Sequence, residues 1–466
     1  MTSTGSTAVP EAQRRRDGLV PVPEGERVFG LTSYVLMWWA SLIVIQIFVL
    51  GANMMPPAGG LNIFQAIVVM VVAAVIVVAF FCINGTPGLK YGIPFAVQCR
   101  SAFGIRGAKI PEVLRIIPAI AWYGVGSWIG ALSVNAVAST IFGLGDYTAV
   151  YFVLFTVIQT VIAWYGIKSI KIFDASMSVV IFLIMAYFLF VVFRQESVAL
   201  REAWFAAGSW GLPFWTALTA AIGILATVML NISDLTRHLT PATQSTNFLG
   251  HLFGVVPPWA FIFIMGVVTA TVAGQGDPVA ALMKVAPSVG IGIALLVFIV
   301  LAQITTNLTI NILPPTMVFQ DILNVTWKQG TVLAGILSVV TFPWILLDSQ
   351  WFFTFINFYA AFLGPILGIM LSDYWVTRRR RLSVDDLYAE KEGSYWFLRG
   401  FSPAAIITLV VASAVSLIFI DVSWLVGMPV AFVLHILLVR LGLDRVGERA
   451  PAGRPVGADR AGGGAP

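Results

Sequence analysis

Apolar runs long enough to cross a bilayer, separated by short polar stretches, fill the chain from residue 31 to residue 440. A spanning helix needs about 20 mostly apolar residues. Windows of that size pick out twelve segments, at 31–54, 60–84, 111–141, 147–166, 173–193, 212–233, 248–274, 289–313, 329–347, 350–372, 401–420 and 422–440. The pattern predicts an all-α polytopic membrane protein with twelve transmembrane helices. Residues 1–28 and 441–466 read as disordered tails, and 373–400 as a polar loop.

The eighth run departs from the pattern. Residues 290–313 read GIGIALLVFIVLAQITTNLTINIL. The first half is wholly apolar. The second half, still at membrane depth, carries Gln303, Thr305, Thr306, Asn307, Thr309 and Asn311, and Pro314-Pro315 is expected to end the helix. Polar groups facing lipid are costly, so this half must face protein or a watery cavity. Helical spacing sorts the side chains into two rows. Ala302, Thr305, Thr306 and Thr309 form a row of hydroxyls suited to a small hard cation. Gln303, Asn307 and Asn311 form a neighbouring row of amides suited to a polar organic solute. The plainer alternative is that the threonines bond back to carbonyls one turn earlier and the asparagines join helices. The clustering in one span favours a binding site.

A polar span needs partners, and interrupted helices supply free backbone groups at mid-membrane. Trp38-Trp39-Ala40 and Gly51 in the first span, and Gly223 in the sixth, are candidate interruptions. These spans open two possible five-span units, about 29–193 and 212–372, within a ten-helix core at 29–372. In the third span, AWYGVGSWIGALSVNA, Gly126 and Gly130 allow close helix approach, and Trp122 and Trp128 face different directions. An aromatic face beside a polar pocket suits a planar solute, although ordinary packing is the simpler role.

Composition agrees: 59% of the 466 residues are hydrophobic and only 11% charged, against about 25% charged in soluble domains. Placing the N-terminus in the cytoplasm puts 24 of the 27 Lys and Arg residues on the cytoplasmic side; Arg194, Arg201 and Lys284 remain outside. That bias predicts a plasma (inner) membrane protein with both termini cytoplasmic. It also accounts for the net charge of +5 without a nucleic-acid partner. The run Arg378 to Arg381 is expected to face lipid headgroups. The first span is too long for a signal-peptide core and reads as a true span.

The available chemistry is narrow. Cys82 and Cys99 form no disulfide framework, and His238 and His251, near span ends, read as structural. Metalloprotease, phosphate-loop, nucleophile-elbow and dinucleotide motifs are missing, so no enzyme activity and no cofactor are expected. Glu112, Asp234 and Asp373 lie near span ends rather than at their centres. This favours a cation held by carbonyls and hydroxyls, such as sodium, and a neutral or zwitterionic solute.

Four segments carry a family resemblance: KYGIPFAVQCRSAFGIRGAKIP (90–111), AWYGVGSWIGAL (121–132), ITTNLTIN (304–311) and GPILGIMLSDYWVTRRRRLSVDDLY (364–388). From about Glu26 to His435 the chain resembles the nucleobase–cation symporters of the first class. These carry purines, pyrimidines, allantoin, hydantoins and related compounds. The resemblance implies a LeuT-type fold, with two inverted five-span repeats plus two C-terminal helices at 401–440, working by alternating access. It also implies a cation site from the carbonyls of Ala40, Ile43 and Ala302 and the hydroxyls of Thr305 and Thr306. Trp122 would stack on the substrate and Asn311 would bond a ring amide, with Ile224 and Gln46 beside them.

Three positions depart from the hydantoin-carrying members: Gly126 and Val44 replace glutamines, and Leu225 replaces a tryptophan. The pocket is therefore expected to lose an aromatic wall and up to two amides, and to take a compact heterocycle such as uracil, cytosine or allantoin. The expected function is import of a small neutral nitrogen heterocycle by cation symport, with sodium as coupling ion. An amino-acid or amine symporter of the same fold, a proton-coupled permease, and a channel or receptor stay open. Oligomeric state is silent in the sequence.

Overall fold

The computed structural model describes residues 19–165 and 183–444, apart from 184, 348, 390 and 392. Most of the predicted fifth span, with Lys168 and Lys171, lies outside the described residues, as do both distal tails; its end appears as the helix Met185–Gln195. The described chain is helical. Its only strand-like pairings are two isolated bridges, Phe29 with Leu239 and Leu398 with Phe401.

The first predicted span is two helices, α1 (Leu31–Leu42) and α2 (Ile45–Ala52), bent by 58°. The second is α3 (Ile63–Tyr91), begun by an Asn62–Gln65 capping box and ended by Gly92 at φ +69°. A short helix α4 (Phe95–Phe103) precedes α5 (Lys109–Phe142) and α6 (Thr148–Trp164). The sixth predicted span is again divided, into α7 (Leu212–Gly223) and α8 (Ala226–Leu230). Next come α9 (Gln244–Ala273) and α10 (Val289–Thr306). Beyond a π-helical turn at Asn307–Ile312 lie α11 (Leu313–Leu323) and α12 (Trp327–Val339). The series ends with α13 (Ser349–Leu371), α14 (Pro403–Ile418) and α15 (Ser423–Arg440). Among the described residues six helices are long and apolar enough to cross a membrane, or seven if the α1–α2 pair counts as one span. Other predicted spans are divided or shorter, such as α6, α7 and α14.

The first interruption is at Ile43–Val44, between the expected candidates. Val44 is extended (φ −130°, ψ 139°), and its N–H turns to the Leu42 carbonyl at 2.9 Å rather than to Ala40 four residues back. The Ala40 carbonyl thus loses its helical donor. Gly51 serves packing instead: a Cβ there would lie 2.5 Å from the Phe263 carbonyl oxygen, and one on Gly266 would lie 2.0 Å from that of Phe48. These glycines let α2 and α9 touch backbone to backbone. In the sixth span Gly223 does end α7, and it also admits Ile356 of α13, whose Cγ2 would lie 2.9 Å from an added Cβ.

One expectation is corrected and another narrowed. Pro314-Pro315 does not end the eighth helix. The prolines occupy the first turn of α11, where a missing N–H costs least, and the mismatch is absorbed by the π turn before them. The Arg378–Arg381 run is not one uniform surface cluster, because Arg378 turns inward. A second π turn, Ser372–Thr377, joins residues five apart, so Arg378 folds back on Asp373. Its N–H reaches the Asp373 carbonyl at 2.7 Å and its Nε reaches Oδ1 at 3.2 Å. The guanidinium also lies over the rings of Tyr395 and Phe397. Arg379, Arg380 and Arg381 remain exposed.

Candidate substrate and cation site

The two interrupted helices, α5 and α10 meet around one cavity of about 50 Å3. The α1–α2 break contributes Ser41, Leu42, Val44, Gln46 and Ile47. The α7–α8 break contributes Ile224 and Leu225, followed by Thr227 and Val228; α5 contributes Trp122. From the end of α10 and its π turn come Thr306, Ile310 and Asn311. Every lining side chain is uncharged, so the cavity offers hydrogen bonds and an aromatic face but no titratable group.

Seven of the twelve residues singled out from sequence line this cavity: Val44, Gln46, Trp122, Ile224, Leu225, Thr306 and Asn311. Trp122 is 5% exposed and held edge-on by Phe352 and Phe355, with ring centroids at 6.0 and 5.4 Å. Its indole N–H donates to Tyr359 Oη at 3.3 Å. Trp128 points elsewhere, packing on Phe152 and Trp344.

The amide row forms two buried pairs. Gln46 Nε2 donates to Gln303 Oε1 at 3.0 Å, and Asn311 Nδ2 to Asn307 Oδ1 at 2.9 Å. Asn307 Nδ2 in turn reaches the Tyr123 carbonyl at 3.3 Å and Ser127 Oγ at 3.4 Å. Gly126, expected on the pocket wall, is buried under these pairs. An added Cβ would lie 2.6 Å from both Gln303 Oε1 and Asn307 Oδ1. The amide expected to be lost at Gly126 is therefore matched by amides arriving from the facing helix. Gly130 admits a different neighbour, Phe155 of α6.

The hydroxyl row divides. Thr305 Oγ1 donates back to the Ala302 carbonyl at 2.9 Å, the plainer role considered above. Thr306 Oγ1 is buried with no hydrogen-bond partner among the described residues, and Thr306 faces the cavity. Ala302 and Ile43 are buried, Ala40 is half-buried, and α10 packs on both α1 and α2. The Thr309 side chain lies outside the described residues. The three span-end carboxylates line no part of the cavity: Asp373 pairs with Arg378, and Asp234 accepts from the Phe95 N–H at 2.8 Å. Glu112 is buried in α5.

Sequence reasoning missed Ile310, which lines the cavity, whereas Gln303, already placed on the amide row, bonds to Gln46 without lining it. For Ile310 a signal was available: an α-helical donor to its carbonyl would sit on Pro314 and a π-helical one on Pro315, and neither has an N–H.

Two interrupted helices crossing at an uncharged cavity, inside an all-helical multi-pass membrane protein, define a transporter of small solutes. The chain belongs to the nucleobase–cation symporter family: the family model described as permeases for cytosine and purines, uracil, thiamine and allantoin matches residues 21–439. The hydantoin permease of Microbacterium maritypicum is 29% identical over 435 residues, covering 90% of this chain and 88% of that protein. The allantoin permease of Bacillus subtilis is 28% identical over 469 residues, covering 91% and 93%. Among solved structures, inward-facing Mhp1 superposes with a TM-score of 0.82 at 27% identity, covering 92% of this chain and 94% of that one. Mhp1 closed on bromovinylhydantoin gives 0.79 at 28% identity, covering 91% and 95%. The overall fold is thus that of Mhp1.

Proposed function

We propose that this protein imports a small neutral heterocycle bearing a cyclic amide, coupled to inward movement of sodium. The observation that carries this reading is the Gln46–Gln303 pair at the α1–α2 break. Two carboxamides that bond once to each other leave one whole NH2 group and one carbonyl oxygen unbonded. Here those atoms are Gln303 Nε2 and Gln46 Oε1, both buried and without a partner. Leaving each unsatisfied costs roughly 1–3 kcal/mol. A ring –NH–C(=O)– edge supplies the complementary acceptor and donor at once. Trp122 supports a planar ring, and the uncharged lining disfavours an amino acid, whose ammonium and carboxylate would both go unmatched.

Sodium is favoured for the same reason. A proton carrier needs a titratable group, whereas the unpartnered Thr306 hydroxyl and the Ala40 carbonyl without its helical donor suit a small hard cation. A cavity of about 50 Å3 holds one or two waters, not a heterocycle. Val44, Ile224 and Leu225 must draw apart to admit one, as alternating access at a helix break requires. The proposed orientation has both termini cytoplasmic, following the charge bias.

The test is uptake by the purified protein in liposomes of labelled uracil, cytosine, allantoin and hydantoin, with an inward sodium gradient or a proton gradient alone. Sodium-driven accumulation of one compound is expected. Accumulation with protons alone overturns the coupling ion; accumulation of none of the four by folded protein overturns the substrate class.

A further inference from the structure

A second concavity lies on the outside of the helix bundle. It is a groove of about 490 Å3 between α3 and α15, walled by Phe80, Ile83, Leu371, Met428 and Phe432 and almost wholly apolar. Its origin is in the packing of α15. A Cβ on Gly368 of α13 would lie 2.4 Å from the Met428 carbonyl oxygen, so α15 is drawn onto α13 and away from α3. Pro429, which lines the groove, cannot donate to the carbonyl one turn earlier, at Leu425.

The two ends of the groove differ. One is narrowed by Phe80 against Trp424, with ring centroids at 5.3 Å. The other ends at Trp375, and there the charge is concentrated. The Arg380 guanidinium stands over the Trp375 ring, 5.7 Å from its centroid. Lys90 Nζ and Tyr91 Oη both donate to the Arg380 carbonyl, at 3.0 and 3.1 Å, which fixes that backbone beside the groove. Arg379 and Arg380 are held at φ +49° and +64°, a left-handed conformation that side chains other than glycine rarely adopt. Asp373 cannot neutralise this cluster, because Arg378 already occupies it.

An apolar groove on the outside of the bundle, narrowed at one end by Phe80 and Trp424 and bordered at the other by Lys90 and Arg380, matches one ligand chemistry. We propose that the groove seats an acyl chain of an anionic glycerophospholipid, with the phosphate between Lys90 and Arg380. The acyl chain accounts for the apolar walls, and the phosphate for the cations held at the mouth. Fixed lipid there would join α3 to α13 and α15, which otherwise part along the groove.

The test is native mass spectrometry of the full-length protein, titrated in detergent with phosphatidylglycerol or phosphatidylcholine of identical chains. Phosphatidylglycerol is expected to be retained at concentrations at least five-fold lower. Replacing both cations (Lys90→Gln with Arg380→Gln) should bring the two lipids to parity. Filling the groove by Ile83→Trp should weaken retention of both. Equal retention by the wild-type protein overturns the proposal, as does a preference that survives the double substitution. Displacement of the lipid by glycerol 3-phosphate at equal concentration also overturns it, since the site would then be one for a soluble anion. If the variants fail to fold, the wild-type ratio of the two lipids decides alone.

Discussion

The central cavity and the outer groove separate size from chemical meaning. The groove is some ten times larger, at about 490 Å3 against 50 Å3, yet its walls offer little beyond hydrocarbon. The cavity is too small for its proposed substrate but carries an indole, two kinds of amide and an unpartnered hydroxyl. Lipid already supplies apolar contact, so an apolar concavity in a membrane says little about a water-soluble solute. Unsatisfied polar groups at membrane depth are costly, so their presence marks where a polar ligand belongs.

Substitutions in the cavity should affect transport strongly, and those in the groove weakly. The largest effect is expected from Trp122→Ala, which removes the aromatic wall and the bond to Tyr359; saturable uptake should be lost, and wild-type affinity would mean that Trp122 only packs. Thr306→Val removes the unpartnered hydroxyl at nearly constant volume. Sodium stimulation of uptake should fall at least ten-fold while the melting temperature stays within a few degrees. Gln46→Leu leaves Gln303 without its partner. It should raise KM several-fold and erase discrimination between the substrate and its N-methylated lactam, as measured by competition. Gly126→Ala forces Gln303 and Asn307 aside and should cost a smaller, several-fold part of kcat/KM. At the far end of the series, Phe432→Ala in the groove should leave KM unchanged and lower thermal stability slightly, read as a small fall in Tm.

The legibility of these regions in the sequence differed for physical reasons. Thr305, Thr306 and Gln303 follow from helical spacing, because the helix is regular as far as Thr306, whereas Asn307 and Asn311 stand on the π turn beyond it. The first interruption was not legible. Ile43 and Val44 have the pattern of a continuous span, and the break there carries neither glycine nor proline. Gly51 looked like a break but serves contact with α9, a distinction that depends on a neighbour more than 200 residues away. The prolines after the eighth span were visible but read as a stop. Proline is equally at home in a first helical turn, and the π turn that makes this possible has no composition of its own. The same kind of turn hid the Asp373–Arg378 pair, since a separation of five does not share a face in an α-helix. At Gly126 the sequence shows only a missing side chain. The amides that fill the space come from another helix.

The central claim is that the hydroxyl row and the heterocycle pocket are energetically coupled. Substrate affinity of the purified protein, measured by equilibrium binding in sodium and in choline, tests it most directly. Coupling between sites of about 1–3 kcal/mol corresponds to a 5–150-fold change in affinity. Wild-type protein should bind its heterocycle at least five-fold more tightly in sodium, and Thr306→Val should bind equally in both salts. Wild-type affinity that ignores sodium, in protein that still accumulates the heterocycle, would contradict the account.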